Sequence, residues 1–162
     1  AFGALGQPPQ PTTEHFENLL WKTLRTLDYG RPIWVEDESA MIGHVNIPHT
    51  FFAQMRAATL YFANMPANER CERLVQDYGI YPVEQLAAAI QRIGRRMGPQ
   101  HCKAALDALA NNDLRQVARI ALDYYDRSYL HGTSKRDPSR LVELSATMAD
   151  LDGLAQKLNN IP

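Results

Sequence analysis

The chain has 162 residues, 45% hydrophobic and 22% charged; this suits one globular domain long enough to bury a core and excludes collagen-like and disordered classes. No apolar run approaches the roughly 20 residues of a membrane span, and no charged-then-apolar leader is seen, so export is not expected. The net charge of −1 hides a gradient: nine Lys/Arg accompany four Asp/Glu in residues 91–136, between two acidic ends. That distribution suits either a face for a polyanion or an ordinary solvated helical surface.

Ala1 to Pro11 is rich in Gly and Pro and reads as an extended loop. Thr12 or Thr13 then caps a helix with Phe16, Leu19, Leu20, Leu24 and Leu27 on one face, ended by Asp28, Gly30 and Pro32. The apolar run Ile33-Trp34-Val35 predicts a strand buried on both faces, as in a parallel sheet. Pro48 opens a helix carrying Phe51, Phe52 and Met55, and Leu60 to Ala63 predicts a second strand, which completes a βαβ unit. Pro66 suits the first turn of the next helix.

From there to about Tyr129 the pattern is nearly all helix. One apolar stripe runs through Val83, Leu86, Ala87, Ile90, Ile93 and Met97, a second through Cys102, Ala105, Leu106 and Leu109, and a third through Leu114, Val117, Ala118, Ala121 and Leu122. Gly98-Pro99 and Asn111-Asn112 separate them. Leu141 to Leu144 predicts a third strand. Thr147 with Asp150 resembles a capping box for a last helix. The fold class is therefore α/β, with about three strands and a largely helical insertion. One domain is expected over 1–162, with residues 1–66 and 139–161 forming its α/β part and 67–138 its helical region. Three strands leave an open sheet edge, so either the unit is small or further strands precede Ala1.

Ligands of open α/β sheets bind at the carboxyl ends of the strands, where Glu36-Asp37-Glu38-Ser39 follows the first predicted strand. Carboxylates there hold Mg²⁺ or act as a general base; the plain alternative is an acidic turn in water. Arg70 and Arg73 project from the helix after the second strand, either toward an anion at the sheet edge or into pairs with Glu69 and Glu72. Arg92, Arg95 and Arg96 cluster on one helix, and Arg115 with Arg119 on a later one. With Lys103, Lys135 and Arg136 they could bind RNA phosphates. Tyr124, Tyr125 and Tyr129 either stack on bases or join the core. The five histidines have no metal-binding spacing, and Cys71 and Cys102 form no zinc set or disulfide framework, which points to a reducing cytoplasmic setting. Neither a GxxxxGK[ST] loop nor a GxGxxG motif occurs.

Gly6-Gln7-Pro8-Pro9-Gln10-Pro11, Phe16-Glu17-Asn18, Trp34-Val35-Glu36-Asp37-Glu38-Ser39, Ile42-Gly43, Ile47-Pro48, Arg95-Arg96 with Gly98, and Tyr124-Tyr125-Asp126 with Tyr129 occur in this order. They resemble the C-terminal part of the bacterial tRNA 2-selenouridine synthase family. The resemblance implies a P-loop domain whose phosphate loop, with a rhodanese-like domain before it, lies upstream of Ala1, so that this segment alone is inactive. It implies a transferase that replaces the sulfur of wobble 2-thiouridine in tRNA with selenium. Selenophosphate is the implied donor, and geranyl diphosphate supplies an S-geranylated intermediate whose sulfur leaves more readily.

By the same resemblance, Glu36, Asp37 and Glu38 sit near the diphosphate, with Glu36 and Asp37 on Mg²⁺, and Ser39 binds substrate. Gln7 and Gln10 lie in a loop that closes on it. Arg70, Arg95 and Arg96 contact phosphate of the diphosphate or of tRNA, and the three tyrosines stack on bases or line a prenyl slot. Ala40 stands where the family usually has arginine. Two rival readings are a stand-alone RNA-binding module and a nucleotide-kinase-like phosphoryl transferase fragment.

Overall fold

Prolines mark where the helices start. A proline has no N–H to donate and a φ already suited to helix entry, so it fits a helix's first positions. In the computed structural model, which describes residues 2–161, Pro48, Pro66 and Pro82 immediately precede helices, and Pro99 is the first residue of one. The helices are α1 (Thr13–Leu24), α2 (His49–Ala57), α3 (Ala67–Tyr78), α4 (Val83–Met97), α5 (Pro99–Ala110), α6 (Leu114–Thr133) and α7 (Leu151–Asn159). The strands are β1 (Met41–Ile42), β2 (Val45–Asn46), β3 (Leu60–Asn64) and β4 (Leu141–Ser145). β3 and β4 form a small parallel sheet, and the whole is mixed α/β with few strands, consistent with an incomplete P-loop-like fold.

The chain divides into two compact units. The helical unit holds the residues up to Pro8, Ala63–Lys135 and Ser145–Ala149. Leu86, Ile90, Ile93 and Met97 of α4 meet Ala105 and Leu109 of α5 and Val117 and Ile120 of α6 in one core. Cys71 of α3 packs with Ala118 and Leu122 of α6 in a second cluster. Gly98, at φ +98°, makes the tight joint between α4 and α5, a conformation that residues with a Cβ rarely adopt. Asn112 takes the left-handed conformation and Asp113 caps α6 by accepting from the Gln116 N–H at 2.9 Å. Phe2–Ala4, expected as part of an extended loop, form a 3₁₀ turn, with Phe2 against Tyr78 and the Tyr81 hydroxyl donating to the Leu5 carbonyl at 3.2 Å.

The second unit holds Pro9–Phe62, Arg136–Leu144 and residues 150–161. Thr12 caps α1 by accepting from the His15 N–H at 3.2 Å. The core of this unit is thin: among the described residues only Val45, Ile47 and Met55 are buried hydrophobics in it.

Three sequence expectations are corrected here. Ile33-Trp34-Val35 is not a strand, and its side chains are 38%, 43% and 47% exposed. A strand exists by pairing, and no described segment pairs with this one; Trp34 instead packs edge-on against Tyr61, ring centroids 5.1 Å apart. Without that strand the expected βαβ unit does not form, and β3 finds its parallel neighbour only after α6. The Thr147–Asp150 capping box is also absent. A 3₁₀ turn at Met148–Asp150 delays α7 to Leu151, too far along the chain for Thr147 to cap it.

Ile90, 1% exposed, fills the centre of the helical core. Ile90→Ala should destabilise the chain by about 2–5 kcal/mol, read as a lower urea midpoint. Burial beside Tyr124 and Tyr129 raises the Tyr125 hydroxyl above the usual tyrosine range. Its neutral form is therefore favoured by folding. That stability is complete below about pH 10 and is lost as pH rises through the raised value. Tyr125→Phe should blunt alkaline unfolding, followed by circular dichroism between neutral and strongly alkaline pH.

Candidate functional site

The acidic turn is held from behind by arginines. Asp37 Oδ1 accepts from Arg56 Nη1 at 3.2 Å and also from Arg136 Nη2, and Oδ2 accepts from Arg56 at 3.4 Å. Arg136 enters from the segment before β4. Its side chain is 5% exposed, and its other nitrogen, Nη1, donates to the carbonyls of Arg56 and Ala58 at 3.1 and 3.4 Å. Arg140 donates to the Ala57 carbonyl. These carbonyls end α2 and have no partner within the helix, and its negative dipole end favours cations. One carboxylate and one helix terminus thus neutralise a buried guanidinium. Arg56 carried only a weak signal, since it merely ends a short helix, and Arg136, expected among the cations for RNA phosphate, is instead buried against Asp37.

The neighbours of Asp37 are freer. Glu36 is exposed and Glu38 is half-buried, accepting from the Ser39 N–H at 3.3 Å. Ser39 Oγ donates to the Met41 carbonyl at 2.7 Å. A magnesium ion on Glu36 and Asp37 does not fit this arrangement. Both Asp37 oxygens already accept from guanidiniums, and among the described residues no three metal-ligating side chains cluster.

Gln10 is engaged within the fold. Its Nε2 donates to the Ile42 carbonyl at 2.9 Å, and its Oε1 accepts from the His44 N–H at 3.1 Å. Both groups belong to the β1–β2 hairpin turn, where Gly43 has φ +64°. A glycine with positive φ followed by a residue with negative φ makes a type II′ turn. A Cβ on Gly43 would meet the Gln10 amide, with its Cδ at 2.8 Å. Gln7 is exposed and its side chain makes no described hydrogen bond.

In the helical unit, Arg70 does not face the sheet edge. It makes a two-pronged pair with Asp126 of α6, at 2.6 and 2.8 Å, and that hydrogen bond pushes its pKa up. Arg73 pairs with Asp77, Arg115 with Glu72 and Lys103 with Asp107, while Arg119 donates to Asn68. Glu69 accepts from the Met148 N–H at 2.6 Å. Arg70, Arg115 and Arg119 are thereby spent on joining α3 to α6, and Arg73 and Lys103 on pairs within their own helices. Arg92, Arg95 and Arg96 differ. They are exposed on α4 and have no acidic partner among the described residues. Arg92 and Arg96 lie one turn apart on one face, which Arg95 flanks.

Tyr124 and Tyr125 are half-buried, with their rings edge-to-face at 5.0 Å, and both pack on the helical core. Tyr129 is 47% exposed. An apolar cavity of this unit lies elsewhere, between Phe2, Leu74, Tyr78, Leu86, Leu114 and Val117, and holds about 40 Å³. No described helix is long and apolar enough to cross a membrane.

Seven helices with a small parallel sheet of few strands, among the described residues, are consistent with an incomplete P-loop-like α/β fold. The family model of the tRNA 2-selenouridine synthase AAA domain matches residues 1–157, and the chain belongs to that family. Similar proteins named tRNA 2-selenouridine synthase include one from Aeromonas salmonicida, 31% identical over 95% of this chain and 50% of its own length. One from Nitrosomonas europaea is 29% identical over 99% of this chain and 40% of its own. One from Cupriavidus necator is 41% identical over 54% of this chain and 23% of its own. The chain thus spans about half the length of the curated relatives it matches. No solved structure matches it.

Asp37→Ala should cost about 3–5 kcal/mol, because it leaves the buried Arg136 charge without its carboxylate. Thermal unfolding of this variant beside Glu36→Ala, expected near the wild type, tests whether the turn's middle residue is structural.

Proposed function

We propose that this chain is the tRNA-handling and substrate-handling segment of an enzyme that converts wobble 2-thiouridine to 2-selenouridine. In the full-length protein, geranyl diphosphate alkylates the sulfur and loses diphosphate. The selenium of selenophosphate then attacks C2, the sulfur departs as geranylthiol, and water cleaves the Se–P bond to release phosphate and leave 2-selenouridine. The unpaired face of Arg92, Arg95 and Arg96 carries the reading for this chain. Three exposed cations without local acids attract the phosphates of a polyanion and lose that attraction as salt rises. The family match supports reading that polyanion as tRNA.

Within this reading the roles divide. Glu36 and Glu38 are the carboxylates left to act at the diphosphate, and Asp37 holds the turn that presents them. Gln7 and Ser39 remain candidates for substrate contact. Gln10 shapes the hairpin beside the turn. Arg95 and Arg96 bind tRNA phosphate, while Arg70 serves packing. Tyr129, exposed on α6, is the tyrosine placed to stack on a base; a cavity of about 40 Å³ is smaller than the roughly 150 Å³ that holds one benzene, so a prenyl chain needs room from elsewhere in the enzyme.

Arg95→Ala with Arg96→Ala should weaken tRNA binding and reduce the salt slope by about two. Filter binding of tRNA across a salt series reads both. An unchanged slope removes these residues from the RNA face and the reading loses its support in this chain.

A further inference from the structure

The C-terminal half of α1 and the turn after it present aromatic rings to solvent in a cationic setting. Trp21 is 59% exposed and Tyr29 71%. Neither ring hangs loose. The Arg25 guanidinium lies over the Trp21 ring, 4.6 Å from its centroid. The Tyr29 hydroxyl donates to the Leu24 carbonyl at 2.9 Å, which pins the ring beside the end of α1. Residues 18–34 hold Lys22, Arg25 and Arg31 against a single acid, Asp28. Asp28 is occupied by the Gly30 N–H at 2.9 Å, and none of the three cations has an acidic partner among the described residues. Glu17, one turn before Trp21, marks the acidic border of the patch.

Large exposed rings are unfavourable in water, and fixing them costs side-chain entropy. Rings held open beside unpaired cations have the makings of a surface for unstacked bases. The base lies on the ring, and the flanking phosphate meets lysine or arginine. A paired helix offers no free base faces, so the surface suits an RNA loop over an RNA duplex. We propose that Trp21, Arg25 and Tyr29 form a stacking platform for unpaired bases of the RNA substrate. The proposal rests on the reading above that the substrate is RNA, but not on the arginines of α4.

Trp34→Phe leaves Trp21 as the sole tryptophan, so its emission reports this surface. Titrating that variant with a short RNA stem-loop should quench the emission, and a fully paired RNA of equal length should not. Trp21→Ala with Tyr29→Ala, both exposed and so expected to fold, should lower stem-loop affinity by roughly tenfold or more. Stem-loop binding with unchanged Trp21 emission, and affinity within about twofold in the double variant, overturns the platform and leaves the RNA reading intact. No RNA binding by the wild-type chain overturns both. Quenching that grows with protein concentration without RNA assigns the surface to a second copy of the chain and overturns the proposal.

Discussion

A buried positive charge governs the second unit. The Arg136 guanidinium reaches three places at once: the Asp37 carboxylate and the terminal carbonyls of Arg56 and Ala58. Apolar burial there is slight, so directional bonds do what a larger core does elsewhere. They bring together the acidic turn, the end of α2 and the chain entering β4. Burying an ion is costly unless its donors are met, and here four of the five N–H groups lie on the two terminal nitrogens that have partners, while Nε has none.

The helical unit solves the same problem by other means. Its core is continuous across α4, α5 and α6, and its polar side chains work at the rim. The pairs of Arg70 with Asp126 and Arg115 with Glu72 run between α3 and α6. They consume cations that would otherwise add to an anion-binding face. What is left over is informative: the arginines of α4 have no such duty. Charge that folding does not use is the charge available to a partner.

Legibility in the sequence followed the range of the physics. The helices were readable because their apolar spacing and flanking prolines are local; Pro48, Pro66 and Gly98-Pro99 give start and stop almost to the residue. The strand at Leu60 was readable from an apolar run with a proline soon after it. The run at Ile33 carried the same signal, yet a strand needs a neighbour, and its own residues do not show whether one is there. Site roles were harder. Arg70, Arg95 and Arg96 look alike in the sequence, but Arg70 meets Asp126, 56 positions away, and the other two have no acidic partner among the described residues. The β1–β2 hairpin was missed because its strands are two residues long, too short for any alternation to register. Trp21 and Tyr29 carry no local signal, since whether a ring stays exposed depends on what packs around it and not on its position in the chain.

The bond between Gln10 and the Gly43 turn has a consequence for how this protein can vary. The carboxamide fills the space that a methyl group at 43 would need, and it satisfies one acceptor and one donor of that turn. Neither position can change without altering what the other tolerates. Their substitutions are therefore coupled: a shorter residue at 10 opens space over the turn but leaves two backbone groups to water, and a larger residue at 43 evicts the amide and must also bear a left-handed backbone. Two positions more than thirty residues apart in the chain thus share one local geometry.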